Sequence, residues 1–400
     1  MRPLEGVRVL DLTRVVAGPV IGRIMSDLGA DVVKIEPPDE DITRLWGATR
    51  HGVAGFYLQQ NAGKRNICID FRHPGGASLL KQLAAKADVV VENYRGGVME
   101  RLGIGWSTLV EVNPKLVMCS ITGFGQEGPE AQRQAYASVI QTEAGWIRRH
   151  AEADNRPPTD PIVSVADYNA GLHGTIALLA ALRQAEKTGT GSHIDMAMFD
   201  AMVFTDDFIH HAIDGFPMLK LGGEYWRLAD GSYFEIAGQF RFVWAQLSKS
   251  AGLRDPGPSD RTVEDTVEAK VRRRRLIVEA FYLSQPDHGA AAAVTTKAAV
   301  AWARYNTPEE ALTTPTALHR GVVAQVDDHA GGTRGVIQSP YRFSAFESGV
   351  RGGAAHRGEH NAEILQEWLG SDAPHLNVDA LLAAGILQQD LFAPEPHGES

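Results

Sequence analysis

Short apolar runs alternate with helix-patterned stretches through the first 125 residues. VRVLDL (7–12) leads into the apolar GPVIGRIMSDLG, and DVVKIE (31–36) follows; then come NICIDF, ASLLKQLAAKA, DVVVEN (88–93) and KLVMCSI (115–121). Runs rich in Val and Ile, spaced by helical segments, predict parallel strands joined by crossover helices, an α/β doubly wound layout. From Ala166 to about Thr188 the pattern DYNAGLHGTIALLAALRQAEKTG predicts one long apolar helix, with Lys and Gly placed where a carboxyl end favours them. GSHIDMAMFDAM then alternates as a further buried strand running into a helix.

The texture changes after about residue 215. LGGEYWRLADGSYFEIAG reads as two aromatic-rich strands turning at Asp230-Gly231, and charged helical material such as VEDTVEAKVRRRRLIVEAF follows. These features place a second, smaller domain at about 220–325. There the spacing of Val263, Val267 and Val271 predicts one apolar helix face, which leaves Arg272 to Arg275 on a solvated surface rather than in an anion site. The tail beyond about 330 carries a strand-like GVIQSP and the helical HNAEILQEWLG and VDALLAAGIL. No internal repeat interrupts this order, and 400 residues suit two or three domains.

The composition, 44% hydrophobic and 22% charged, rules out disorder, collagen and a disulfide scaffold. A net charge of −10 opposes a nucleic-acid-binding surface but leaves room for local anion sites. Cys68 and Cys119 lie in apolar runs and read as buried thiols of a reducing compartment. The start, MRPLEGVRVLDL, lacks the apolar run of a signal peptide, and no stretch approaches a membrane span, so a cytoplasmic protein without a membrane partner is expected.

Most catalytic motifs fail on inspection. The turn after the first strand has Gly18 and Gly22 but no Gly-x-Gly-x-x-Gly, and the literal match at Gly123 to Gly128 runs into Pro129 and polar residues rather than an apolar helix. There is no Gly-x-Ser-x-Gly elbow, neither cysteine stands beside a histidine, and His210-His211 lacks the spacing of a zinc helix; no metal site is expected. Asp167 remains, an acid at the mouth of an apolar helix. The pattern Ser164-x-x-Asp167 before a hydrophobic run is close to a capping box, and the residues alone favour that bland role. The same helix dipole would also keep a partly dry carboxylate ionised, as a carboxylate nucleophile requires.

At these residues the chain resembles the family III CoA-transferases, the CaiB/BaiF family that includes the α-methylacyl-CoA racemases. The resemblance is carried by PLEGVRVLDLTRVVAGP, GADVVKIEPP, NAGKRNICIDF, ADVVVENYRGGVMERLGIGW, ITGFGQEGP, VADYNAGLHGTIALLAAL and GEHNAEIL, in that order over nearly all of residues 3–390. It implies a large Rossmann-like α/β domain built from residues 1–215 and 330–400, a smaller central α+β domain, and two subunits interlocked like chain links. It also implies acyl-CoA and a carboxylic acid as substrates, with coenzyme A a substrate and no further cofactor. Asp167 stands where the family's aspartate attacks the thioester, forming a mixed anhydride and then an aspartyl-CoA thioester.

Position by position, the resemblance assigns Lys64, Arg65, Asn93, Tyr94 and Arg101 to the phosphates, ribose and adenine of CoA, and Val15, Val16 and Ala17 to the pantetheine and thioester. Val16 replaces the glutamine of formyl-CoA transferase, which argues against an oxalate or formate specialist. Tyr136 and Phe240 occupy the positions of the racemases' histidine and glutamate bases, whereas Tyr136 and Gln141 match the transferases. A racemase or isomerase using other bases, or a silent CoA-binding homologue, are the alternatives. The tetraglycine loop of formyl-CoA transferase is reduced to Gly222-Gly223, whose amides are an expected oxyanion contact. Residues 250–300 match the family poorly, and no acid is named by the sequence.

Overall fold

A computed structural model describes residues 1–218, 222–260, 262, 264–373 and 376–390. The chain divides into two compact units, Met1–Phe216 with Arg320–Ser400, and Pro217–His319.

In the first unit the apolar runs become strands: β1 (Arg8–Asp11), β2 (Asp31–Glu36), β3 (Arg65–Ile69), β4 (Val89–Glu92), β5 (Val117–Thr122) and β6 (Ser192–Ala197). All six are parallel, in the order β3-β2-β1-β4-β5-β6, and the carboxyl-terminal segment Leu387–Gln388 adds an antiparallel edge strand beside β3. This is the order of doubly wound dinucleotide-binding sheets, which reverses between β1 and β4. The strands alternate in the faces they serve. Leu10, Val33, Ile35, Ile67, Ile69, Val90 and Met118 pack on one side, and Val9, Val32, Val89, Val91, Val117 and Cys119 on the other. Both faces are covered, which is why the sequence shows continuous apolar runs rather than a polar alternation. Each fully buried Val, Leu or Ile contributes roughly 1.5–3 kcal/mol.

One face is covered by α1 (Ala17–Asp27), α2 (Val165–Thr188) and α3 (Met198–Thr205), through Ile21, Met25, Leu178, Leu182 and Met202. The other face is covered by residues 74–84 and by the late helix α4 (Asn361–Leu369) through Ile364, Leu365 and Trp368. The long helix α2 ends as its sequence predicts, with Gly189 left-handed at φ 74° and its amide on the Ala185 carbonyl. The edge strand β6 departs from expectation, because most of it is partly or fully exposed rather than buried. Val323–Asp327 and Thr333–Ile337 form an antiparallel pair within this unit, so the strand-like GVIQSP finds its partner just upstream.

The second unit holds the expected hairpin, Gly223–Arg227 against Tyr233–Ala237, extended by Ala301–Arg304. Asp230 closes the turn by accepting the Ser232 amide at 2.9 Å, with Gly231 at φ 87°. The helix Val267–Leu283 buries Val278 and Tyr282, while Val267 is exposed and Val263 lies outside the described residues, so the apolar face is not the valine row. Its arginines pair on the surface, Arg273 with Asp265 at 3.0 Å, Arg274 with Asp255 at 2.8 Å and Arg275 with Glu224 at 2.6 Å. Among the described residues, no helix is long and apolar enough to cross a membrane.

Candidate active site

A cavity of about 800 Å³ lies at the carboxyl ends of the strands, where the strand order reverses. Each strand contributes the residues that follow it or close it: Arg14, Val15 and Ala17 after β1, Pro37 and Asp39 after β2, Phe71 and Arg72 after β3, Asn93, Tyr94 and Arg95 after β4, Ile121 to Gly123 at the end of β5, and Met198 after β6. Arg101, Arg133 and Tyr136 complete the wall, and Asp167 enters it from the first turn of α2. Five guanidiniums face two carboxylates in this lining. Arg72 is tied to Asp39 at 3.1 Å and Arg133 to Glu130 at 3.2 Å. Arg14, Arg95 and Arg101 have no carboxylate partner among the described residues; Arg95 donates to the Gln134 side-chain oxygen, and Arg14 and Arg101 are open forks suited to a polyanion.

Asp167 does not close a capping box, since Ser164 makes no side-chain cap bond. The cap comes from Gln141, whose Oε1 accepts the Ala166 amide at 3.2 Å while its Nε2 donates to Asp160 at 3.0 Å. That leaves the Asp167 carboxylate in the cavity wall beside the backbone of Ala17, at the amino end of α1. A helix amino terminus therefore does open onto the cavity after β1, and the nearest acid there is a side chain of this chain. Burial pushes the Asp167 carboxyl up to about 6, the Ala17 amide opposing the rise. The group is still mostly ionised at neutral pH. The approach of the two helices rests on Gly171: a Cβ there would lie 2.8 Å from the Ala17 carbonyl oxygen and 3.0 Å from Val20.

The turn that presents Ala17 is tightly held. Val15 sits at φ 71°, a left-handed conformation that costs a β-branched residue about 1–3 kcal/mol. Both carboxylate oxygens of Asp41 accept its amide at 3.3 Å, and Asn93 accepts the Arg14 amide and donates to the Arg14 carbonyl, each at 2.8 Å. Tyr94 lies beneath Arg14, whose guanidinium is 5.4 Å from the ring centroid, and its hydroxyl is buried without a partner.

Of the residues singled out from the sequence, Val15, Ala17, Asn93, Tyr94, Arg101, Tyr136 and Asp167 meet in this cavity. Val16 and Gln141 are buried behind it. Lys64 and Arg65, expected at the phosphates, do not border it. The three protons of the Lys64 ammonium go to Asp11 Oδ2 at 2.7 Å, Asn61 Oδ1 at 2.8 Å and the Pro19 carbonyl at 2.9 Å, in a side chain 1% exposed. Arg65 spends its fork on Asp31 at 2.6 Å, Glu367 at 2.7 Å and Glu363 at 2.8 Å, fastening α4 to the sheet. Gly222 and Gly223 belong to the second unit, with Gly223 opening its first strand, and Phe240 opens a helix there. Sequence reasoning missed Arg14, Arg72 and Arg95, although each follows the end of a strand, where doubly wound sheets place their ligands. Cys68 and Cys119 are strand residues whose thiols burial pushes up to about 12.

The family model for CoA-transferase family III matches residues 4–361. The chain belongs to CoA-transferase family III. This CoA-transferase is 33% identical over 389 residues to the succinate–glutarate CoA-transferase of Agrobacterium fabrum, covering 91% of this chain and 95% of that protein. It is 30% identical over 410 residues to the human succinyl-CoA:glutarate CoA-transferase, covering 97% and 91%. The crystal structure of a CAIB/BAIF family protein from Brucella suis has a TM-score of 0.79 with it at 31% identity, covering 92% of this chain and 99% of that one.

Proposed function

We propose that this family III CoA-transferase moves CoA between an acyl-CoA and a carboxylic acid through a covalent aspartyl-CoA thioester on Asp167. The observation that carries this reading is the Asp167 carboxylate, set in the cavity wall against the Ala17 amide and raised by burial only to about 6. It stays a nucleophile at neutral pH while losing the water shell that would blunt it. The carboxylate oxygen attacks the thioester carbonyl, the C–S bond breaks, and CoA leaves as thiolate from the mixed anhydride. The thiolate then attacks the aspartyl carbonyl, forming aspartyl-CoA and releasing the first acid as carboxylate. The incoming carboxylate attacks the aspartyl thioester and expels the thiolate, which finally attacks the acyl carbonyl and frees Asp167. No net proton is exchanged, so the site needs no acid or base partner for Asp167.

Arg14, Arg95 and Arg101 are the proposed partners of the CoA phosphates, with Val15 and Ala17 along the thioester arm and Tyr94, Asn93 and Tyr136 around them. The amides of Gly222 and Gly223 remain the proposed oxyanion contact. The names of the two similar transferases pair succinate with glutarate, and we propose short dicarboxylates as substrates here. We also propose an interlocked homodimer, which would cover the exposed apolar row Leu172, Ile176 and Leu179 on α2 and the exposed Phe204 and Ile213.

Incubation with succinyl-CoA followed by hydroxylamine is expected to leave a hydroxamate on Asp167, found by peptide mass spectrometry. An unmodified Asp167 in protein that still transfers CoA would end this reading. A racemase would instead wash solvent deuterium into the α-carbon of its acyl-CoA, and a silent homologue would give neither product.

A further inference from the structure

We infer that Asp41 is a positioning residue for CoA transfer: buried beneath the turn after β1, it holds Val15 in its left-handed conformation and so keeps the backbone of Ala17 beside the Asp167 carboxylate in the cavity wall. The inference rests on Asp167 being the nucleophile.

Asp41 is fully buried, yet it is far more than a local cap. Its Oδ1 does cap the short turn Ile42–Leu45 by accepting the Thr43 amide at 3.1 Å and hydroxyl at 2.8 Å. Both oxygens also face the Val15 amide, and Oδ2 takes the Lys34 ammonium at 3.2 Å. Lys34 then reaches the Thr13 carbonyl at 2.8 Å, so the pair grips the turn on two consecutive sides. The Thr13 amide goes to Asp11 at 3.0 Å and the Arg14 backbone to Asn93. Asp41 is therefore the acceptor for the one strained residue in the turn, two positions before Ala17, which shares the cavity wall with Asp167. Strain of this kind persists only where the surroundings over-determine it. A Val without that acceptor would relax toward negative φ, and the peptide leading to Ala17 would turn with it.

Asp41→Asn keeps the shape and the Oδ1 that serves Thr43 and Val15, but puts amide protons in place of Oδ2, the oxygen that Lys34 holds and that completes the grip on the Val15 amide. Its kcat for succinyl-CoA to glutarate transfer is expected to fall about 100-fold, as a misplacement of about 1 Å does, with the KM for the CoA ester within about threefold. Adding Val15→Gly to Asp41→Asn is expected to restore at least about tenfold of that loss, since glycine adopts φ 71° without penalty. If Asp41→Asn does not fold, Asp41→Glu, which keeps the charge Lys34 needs but displaces the carboxylate, is measured in the same pair. A wild-type kcat in the single variant, or a loss that Val15→Gly leaves untouched, overturns the inference. Asp167→Asn assayed alongside separates the two claims: if it still transfers CoA, the nucleophile assignment falls, whereas a dead Asp167→Asn beside a fully active Asp41 variant removes only the positioning role.

Discussion

Replacing Asp167 by Asn should make the protein more stable at neutral pH while abolishing transfer. Below the ordinary carboxylate range Asp167 is protonated in both folded and unfolded chains, so burying it adds no charge penalty. Burial raises the folded carboxyl to about 6 from its ordinary 3.8. As pH climbs between those values the unfolded chain loses its proton first, and stability falls. Every pH unit between the folded and unfolded titrations is worth about 1.4 kcal/mol, so the penalty approaches about 3 kcal/mol at pH 8 and shrinks to about 0.5 kcal/mol at pH 4. Asparagine keeps the shape and carries no charge, so the variant should melt above the wild type at pH 8 and nearly with it at pH 4. Glu92, a second buried carboxyl pushed up to about 7, is common to both proteins and cancels in the difference. Paired urea or thermal melts across this range supply the assay. A stability difference that does not grow with pH refutes the argument, because it would mean that the carboxylate is not desolvated. The same titration is expected as an acid limb near 6 in kcat/KM of the wild type.

Lys64 and Arg101 should separate cleanly. Lys64→Met strands the buried Asp11 carboxylate and is expected to cost about 3–5 kcal/mol in chemical denaturation, with the KM of the folded fraction unchanged; Arg101→Ala is expected to leave the melt alone and raise the KM for the CoA ester about tenfold. A Lys64 variant of native stability with a raised KM would return that lysine to the phosphate site. Gly171→Ala pushes a methyl group against the Ala17 carbonyl and is expected to destabilise by about 1–3 kcal/mol and to lower kcat together with the melting temperature; an unchanged kcat would show that the contact between α1 and α2 does not set the Ala17–Asp167 distance.

The strands were legible because a sheet covered on both faces demands unbroken apolar runs, and Val, Ile and Leu declare them in VRVLDL, DVVKIE and DVVVEN. The site was legible only where chemistry and place coincide. Asp167 showed an acid at a helix mouth, but a cap and a nucleophile use the same local pattern; in the structure the cap is supplied by Gln141, and Asp167 lies in the cavity wall with Ala17 of a different helix. Neither partner is near Asp167 in sequence. Lys64 and Arg65 fall outside the cavity for the complementary reason. They stand at the amino end of β3, while Phe71 and Arg72, past its carboxyl end, border the cavity. Basic residues beside a glycine look alike at both ends of a strand, yet in a parallel sheet only the carboxyl ends open onto the ligand crevice. Asp41 follows the same rule: its neighbours in sequence make it a cap, and only the fold brings it under the strained Val15. What the charges of this chain face is therefore set by which strand end they follow, and the cluster Asp11, Lys34, Asp41 and Lys64 converts that topology into a fixed turn beside the Asp167 carboxylate.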